Sequence, residues 1–169
     1  MTVGPTFTDW ASRPPEVAYL LNSAFCATLL RNGVKSFEGE RDAGMPLHLC
    51  FLLMPIVLHK PTRSLLPSTT ATRMLPWLEE HQSVRVGFAA RVRNIAPYTR
   101  EALVFALRHG HLTVATDATV GAPKIRLRKY SPQEGTDAGA CIAASALVGK
   151  WFGRSQDLAT TFAAWGVRP

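Results

Sequence analysis

From Met45 to Leu58 the chain reads MPLHLCFLLMPIVL, with no charged residue beyond the titratable ring of His48. Apolar residues follow one another too densely for a helix with one wet face, so this element belongs at the centre of the fold. A membrane-spanning helix needs about 20 apolar residues. The run LCFLLMPIVL is shorter than that, with Pro55 inside it and His48 and His59 flanking it. It reads as a core helix, and the remaining chain has to wrap it.

The wrapping elements follow from periodicity and breakers. In RPPEVAYLLNSAFCATLLRNG, Val17, Leu20, Leu21, Phe25 and Leu29 recur at helical spacing. Pro14 and Pro15 suit the first turn, and Asn32-Gly33 reads as a stop, leaving VKSFEGERDAG as a loop. Pro61 and Pro67 interrupt Leu58–Leu78, which is expected to be a loop holding one short turn before a helix near Thr70 to His81. Another helical region runs from Ser83 through SVRVGFAARVRNIAP. Thr99 then reads as the N-cap of REALVFALRHG, which ends at Gly110.

Leu112 and Val114, then Ile125 and Leu127, alternate with polar residues around a turn at Gly121-Ala122-Pro123. A helix, a glycine and a hairpin in this order end a winged-helix unit. After the linker YSPQEGTDAG come two helices, Ala138 to Phe152 and Ser155 to Trp165. The expected class is mainly α, a helical domain with a winged-helix-like β-hairpin. The 169 residues should make a single domain, 1–169, with a short flexible N-terminal segment, 1–8.

Composition sharpens this. Hydrophobic residues are 47% and charged residues 18%, which excludes a disordered chain and implies more apolar surface than a solitary monomer needs. Cys26, Cys50 and Cys141 are an odd number of widely spaced thiols in apolar runs, as expected of reduced, buried cysteines in the cytoplasm. The opening residues MTVGPTFTDW show no signal-peptide pattern. Trp10, Trp77, Trp151 and Trp165 fall at element edges, where large aromatics usually serve the core.

Catalytic chemistry finds no foothold in the pattern. The five histidines make no His-x-x-x-His pair, and no Cys-x-x-Cys is present. His109 and His111 flank a helix exit, where a histidine caps carbonyls. His48 and Cys50 are two residues apart and do not face each other on a helix. There is no nucleophile elbow and no phosphate-binding lysine loop, and Glu79-Glu80 read as a solvated helix end. The chain is expected to be a non-enzyme without metal, cofactor or membrane contact.

The basic residues are more telling. The formal charge is +7, from 19 Lys and Arg against 12 Asp and Glu, which favours acidic partners. Between Asp42 and Glu79 there is no acidic residue, so Lys60, Arg63 and Arg73 have no local neutraliser. In KIRLRK, Lys124, Arg126 and Arg128 would share one strand face and could meet phosphates or an acidic protein. A solvated outer face of a hairpin accounts for the same three charges.

The stretches DWASRPPEVAYLLNSAFC, GMPLHLCFLLMPIVLHKPTRSLLPSTTATRMLPWL, PYTREALVFALRHGHL, VGKWF and the terminal GVRP resemble the middle component of bacterial three-component ABC systems, which include Lamassu-type antiphage operons. The resemblance runs from Trp10 to Pro169. It departs at Asn22-Ser23-Ala24-Phe25, where Asn-Pro-Ala-Phe is expected, and at Pro15, where a branched apolar residue is usual; the first helix should be straighter for it. The resemblance implies a non-catalytic adaptor in antiphage or anti-plasmid defence. Its partners would be an ABC ATPase of the structural-maintenance or double-strand-repair type and an effector, often a nuclease, with double-stranded DNA reached through the complex. On this reading His59, Lys60, Thr62, Arg63 and Arg73 form a partner-binding surface. The alternative is a stand-alone winged-helix DNA-binding regulator.

Overall fold

The computed structural model of the chain describes residues 21–125, 132, 135–155 and 157–168. Its axis is the helix Leu47–Leu58, which is the second helix, α2. Leu49, Cys50, Leu52, Leu53, Met54, Ile56 and Val57 are each at most 3% exposed, as the density of the apolar run requires. Around it pack α1 (Ser23–Glu38), α3 (Lys60–Leu65), α5 (Phe88–Arg108) and α6 (Asp137–Arg154). No described helix is long and apolar enough to cross a membrane.

Two shorter helices, α4 (Met74–Glu80) and α7 (Leu158–Ala164), frame an aromatic cluster. Trp77, Trp151 and Trp165 are buried there. Ring centroids lie 5.2 Å apart for Trp77–Trp151 and 6.2 Å for Trp77–Trp165, within the range of favourable aromatic pairs. The indole N–H groups of Trp77 and Trp151 donate to the carbonyls of Leu65 and Thr72, at 3.0 and 2.8 Å. These bonds fasten the irregular chain between α3 and α4 to the core. Trp10 lies outside the described residues.

Helix α1 differs from its sequence reading at both ends. Asn22 is its N-cap, and the Asn22 side chain accepts from the backbone N–H of Ala24 at 2.8 Å. Pro14, Pro15 and Val17 lie outside the described residues. Ser23 is therefore the first helical residue, a position where proline also fits, so its identity has no bearing on how straight the helix runs. Nor does Gly33 stop the helix, which continues to Glu38 and includes the first residues of the expected loop. A Cβ on Gly33 would lie 2.2 Å from Leu53 Cδ1, and one on Gly149 would lie 2.2 Å from the Gly33 carbonyl oxygen. Gly33 serves tertiary contact: its bare Cα makes room for Leu53 of α2, and the bare Cα of Gly149 lets α6 rest on the Gly33 backbone.

The contact extends along both helices in the same direction. Asn32 donates to the Ile142 carbonyl and to Ser145 Oγ, both at 2.9 Å. Further on, a Cβ at Gly153 would come 2.9 Å from the Phe37 carbonyl oxygen. Beyond it, Arg154 forms a two-pronged pair with Glu40, at 2.8 and 3.1 Å. Rising numbers thus meet rising numbers, and the two helices run parallel with their N-terminal ends on the same side.

Helix α5 is one element of 21 residues where two were expected. Pro97 lies inside it on an exposed position, so the carbonyl that loses a partner is on the wet side. Thr99 is no N-cap: its side chain is buried and Oγ1 donates to the Ile95 carbonyl at 3.2 Å. The helix does stop at this glycine signal: it ends at Arg108, and the φ of 67° at Gly110 allows His111 N–H to reach back to the Ala106 carbonyl at 2.7 Å.

The mainly α class with a β-hairpin is what the structure shows, but the hairpin lies earlier than expected. Strands β2 (Thr113–Val114) and β3 (Thr119–Gly121) pair antiparallel around a turn at Ala115–Ala118. Asp117 makes that turn by accepting from the Thr119 N–H at 3.0 Å and hydroxyl at 2.7 Å. Gly121 is consequently a strand residue, and Lys124 and Ile125 are exposed residues beyond the strand. Arg126, Leu127 and Arg128 lie outside the described residues. A third strand, β1 (Met45–Pro46), pairs with β3 and leads directly into α2.

The glycine contact gives a direct test. Alanine normally improves a helix interior over glycine by about 1 kcal/mol. Gly149→Ala should instead lower stability by about 1–3 kcal/mol, because the methyl group meets backbone that cannot swing away. Chemical denaturation of Gly149→Ala and of Gly110→Ala, where nothing lies within 4 Å and only the positive φ is strained, should show the larger loss at Gly149.

Candidate docking groove at His59, Lys60 and Arg63

The parallel N-terminal ends of α1 and α6 border an open cavity of about 980 Å³. Phe25, Pro55, Leu58 and Ile95 make its apolar wall, and Lys60, Arg63, Arg91 and Asp137 supply its charges. The wall draws on α1, α2 and α5, while the charges come from α3, α5 and α6.

His59 joins α2 to α3. It is the N-cap of α3, and its Nδ1 accepts the Thr62 N–H at 3.3 Å and lies 2.8 Å from Thr62 Oγ1. Nδ1 must be unprotonated to accept, which puts the ring proton on Nε2. Burial, then the charges of Arg91 and Arg63, hold the ring below its usual pKa of 6.5. Thr62 is itself buried, so it fixes His59 from beneath and presents no contact surface. Pro61 does not abolish helix here, because it falls in the first turn of α3.

Arg63 has a side chain only 7% exposed. It donates to the Val57 carbonyl at 2.8 Å, capping the C-terminal end of α2, and pairs with Asp137 at 3.3 Å. Lys60, 69% exposed, reaches the same carboxylate at 3.4 Å. The neutraliser missing from the local sequence therefore arrives from the first residue of α6. Arg91 is anchored by donating to the carbonyls of Val86 and Val84, at 2.9 and 2.5 Å, and its buried Nε has no partner among the described residues.

The groove thus gathers His59, Lys60 and Arg63, with Thr62 packed below them. Arg73 is elsewhere: it is exposed at the N-cap of α4 and contributes nothing to the cavity. Lys124 is also outside it, and Arg126 and Arg128 lie outside the described residues. Arg91 and Asp137 were not singled out from sequence. Asp137 had a signal in Thr136-Asp137-Ala138-Gly139, a capped helix start, and Thr136 Oγ1 does accept the Gly139 N–H at 3.2 Å.

The thiols are poorly suited to nucleophilic work. Burial pushes Cys26 and Cys50 up to about 12, and burial also raises Cys141, whose S–H points to the Val57 carbonyl at 3.7 Å. Among the described residues no group of three or more His, Cys, Asp or Glu could hold a metal ion. His109 and His111 lie instead with Phe105, the His109 ring 4.3 Å from it.

Residues 10–169 match the family model described as ABC-three component (ABC-3C) system Middle Component 3. The chain belongs to this family. No curated protein and no solved structure matches it. The match takes in every described helix and strand, so the groove and its charges lie wholly within the middle-component region. The family is a component of a multi-component ABC system, which makes other ABC-system components its partners.

Two measurements probe the groove of this middle component. Lys60→Ala should shift stability by less than about 0.5 kcal/mol, because its pair with Asp137 is exposed on both sides. Arg63→Ala should cost about 1–3 kcal/mol, since it uncaps Val57 and removes a buried side chain. Equal melting curves for the two variants would contradict this geometry.

The second concerns pH. A histidine whose folded pKa is lowered binds fewer protons folded than unfolded. Its contribution is complete above about 6.5 and lost as pH falls through the lowered folded value. His59→Asn keeps an N-cap without a titrating ring. Between about pH 7 and about pH 5 the wild type should lose stability relative to that variant, measured as denaturation midpoints.

Proposed function

We propose that this middle component is a non-catalytic adaptor of a cytoplasmic, Lamassu-type antiphage or anti-plasmid complex. It joins an ABC ATPase of the structural-maintenance or double-strand-repair type to an effector, most often a nuclease, and assists DNA sensing through the assembled complex. The observation that carries the reading is the family match over residues 10–169. The resemblance of its sequence stretches to Lamassu-type middle components supplies the finer identity of the partners. Net charge and physical design agree: a +7 chain with buried thiols and pre-paired cations is built to hold a shape and meet an acidic surface.

Partner contact is assigned to the exposed members of the basic set. Lys60 and Arg73 present charge outward, while His59 and Arg63 line the groove and Thr62 packs beneath them. Lys124, with Arg126 and Arg128, forms the proposed contact to DNA phosphates or an acidic partner.

The test is co-expression with the ATPase and effector encoded beside it, followed by size-exclusion chromatography and mass measurement. The expected result is a stable complex containing all three chains, with poor solubility or self-association of the middle component alone. A well-behaved dimer that ignores both and selects one duplex sequence would favour the winged-helix regulator instead.

A further inference from the structure

We infer that the groove is the seat of an acidic amphipathic helix from a partner protein, laid with its apolar face on Phe25, Leu58 and Ile95. This deepens the adaptor reading and rests on it. Three features of the groove select such an occupant.

The first is the balance of charge. Among the described residues, Lys60, Arg63 and Arg91 face the cavity against the single carboxylate of Asp137, which already serves both Lys60 and Arg63. The second is helix direction. Because α1 and α6 run parallel, the N-terminal ends of both open on the groove, each carrying roughly half a positive charge. No acidic residue in the first turn of α1 offsets its end. The end of α2 with the opposite sign is also there, but Arg63 and the Cys141 thiol cover its Val57 carbonyl. The field left over favours an anion. The third is pre-organisation: Arg63 and Arg91 are already fixed by backbone carbonyls, so they lose little freedom when a carboxylate arrives.

The apolar wall decides the form of the anion. A free phosphate would gain nothing from Phe25, Pro55, Leu58 and Ile95. An amphipathic helix uses both, placing apolar residues at helical spacing in the groove and acidic residues on the rim.

Two arms test this with the full chain. In the first, a labelled helix of about 18 residues, Leu on one face and Glu on the other, is titrated onto the protein beside the same helix with Lys for Glu. The Glu helix should bind at least about tenfold more tightly. Lys60→Glu, at an exposed position, should weaken it by about fivefold or more. Asn94→Trp, an exposed residue on the groove wall, should block it, with the melting temperature of both variants unchanged. Equal affinity for the two helices, or indifference to Asn94→Trp, overturns the proposal.

In the second arm a photocrosslinking residue replaces Asn94 in the co-expressed complex. Capture of an acidic, apolar segment of the ATPase or effector is the expected result. Capture of residues 1–20 of its own chain, of a second copy or of a lipid overturns it. If the complex forms but Asn94→Trp leaves it intact, the groove assignment fails and the adaptor reading stands. If the acidic helix binds as expected but no complex forms, the adaptor reading fails.

Discussion

Everything in this fold is hung on a contact without side chains, the meeting of Gly33 and Gly149. A methyl group on Gly149 would fall 2.2 Å from the Gly33 carbonyl oxygen, so α1 and α6 can lie this close only because Gly149 is bare, while one on Gly33 would fall 2.2 Å from Leu53 Cδ1 of α2. Close approach brings polar groups of one helix within reach of carbonyls of the other, and Asn32 bonds across the seam. Past the glycines, Arg41 donates to the carbonyls of Gly153 and Ser155, and Arg154 grips Glu40. Helix α2 then packs against both members of this rigid pair, with Leu53 filling the space a side chain at Gly33 would take.

The same pairing generates the groove. The parallel pairing brings the N-terminal ends of α1 and α6 to the same side, where residues of both line the opening. Here α1 contributes Ala24, Phe25 and Thr28 and α6 contributes Ala138 and Cys141, and these side chains line the opening without closing it. The opening is therefore a product of helix packing, and its charge follows from helix direction as much as from basic residues. Asp137 has two parts in this arrangement. It sits at the start of α6, where a carboxylate is electrostatically favoured, and it holds Lys60 and Arg63 in place.

Much of this could be read from residues alone, and the failures share a cause. The dense run before Leu58 could only be a central helix. The stop at Gly110 was legible because a glycine with positive φ does its work locally. Gly33 carries the same letter, preceded by asparagine, yet it serves contact with another helix, which no local pattern displays. Pro97 and Thr99 imitate a helix boundary, and tertiary packing overrode them by burying Thr99. Arg63 looked unneutralised because the count of carboxylates was taken along the chain; its partner is Asp137, contributed by a different helix. For the hairpin, the turn chemistry of Asp117 outweighed the Gly-Ala-Pro signal a few residues later.

The small sheet has a consequence for the order of assembly. Strand β1 pairs Met45 with Val120, closing a loop that holds α2, α3, α4 and α5 between its ends. Two residue pairs are a thin reward for ordering so long a loop, since closure entropy must be offset before the ladder forms. The helices have to be packed first. Strand β1 then finds β3 already delivered by the exit of α5, and the Leu47 N–H, at the head of α2, donates to the Ala118 carbonyl at 3.0 Å. The sheet is in this sense a clasp that fastens late, reporting that the helical body beneath it has reached its final shape.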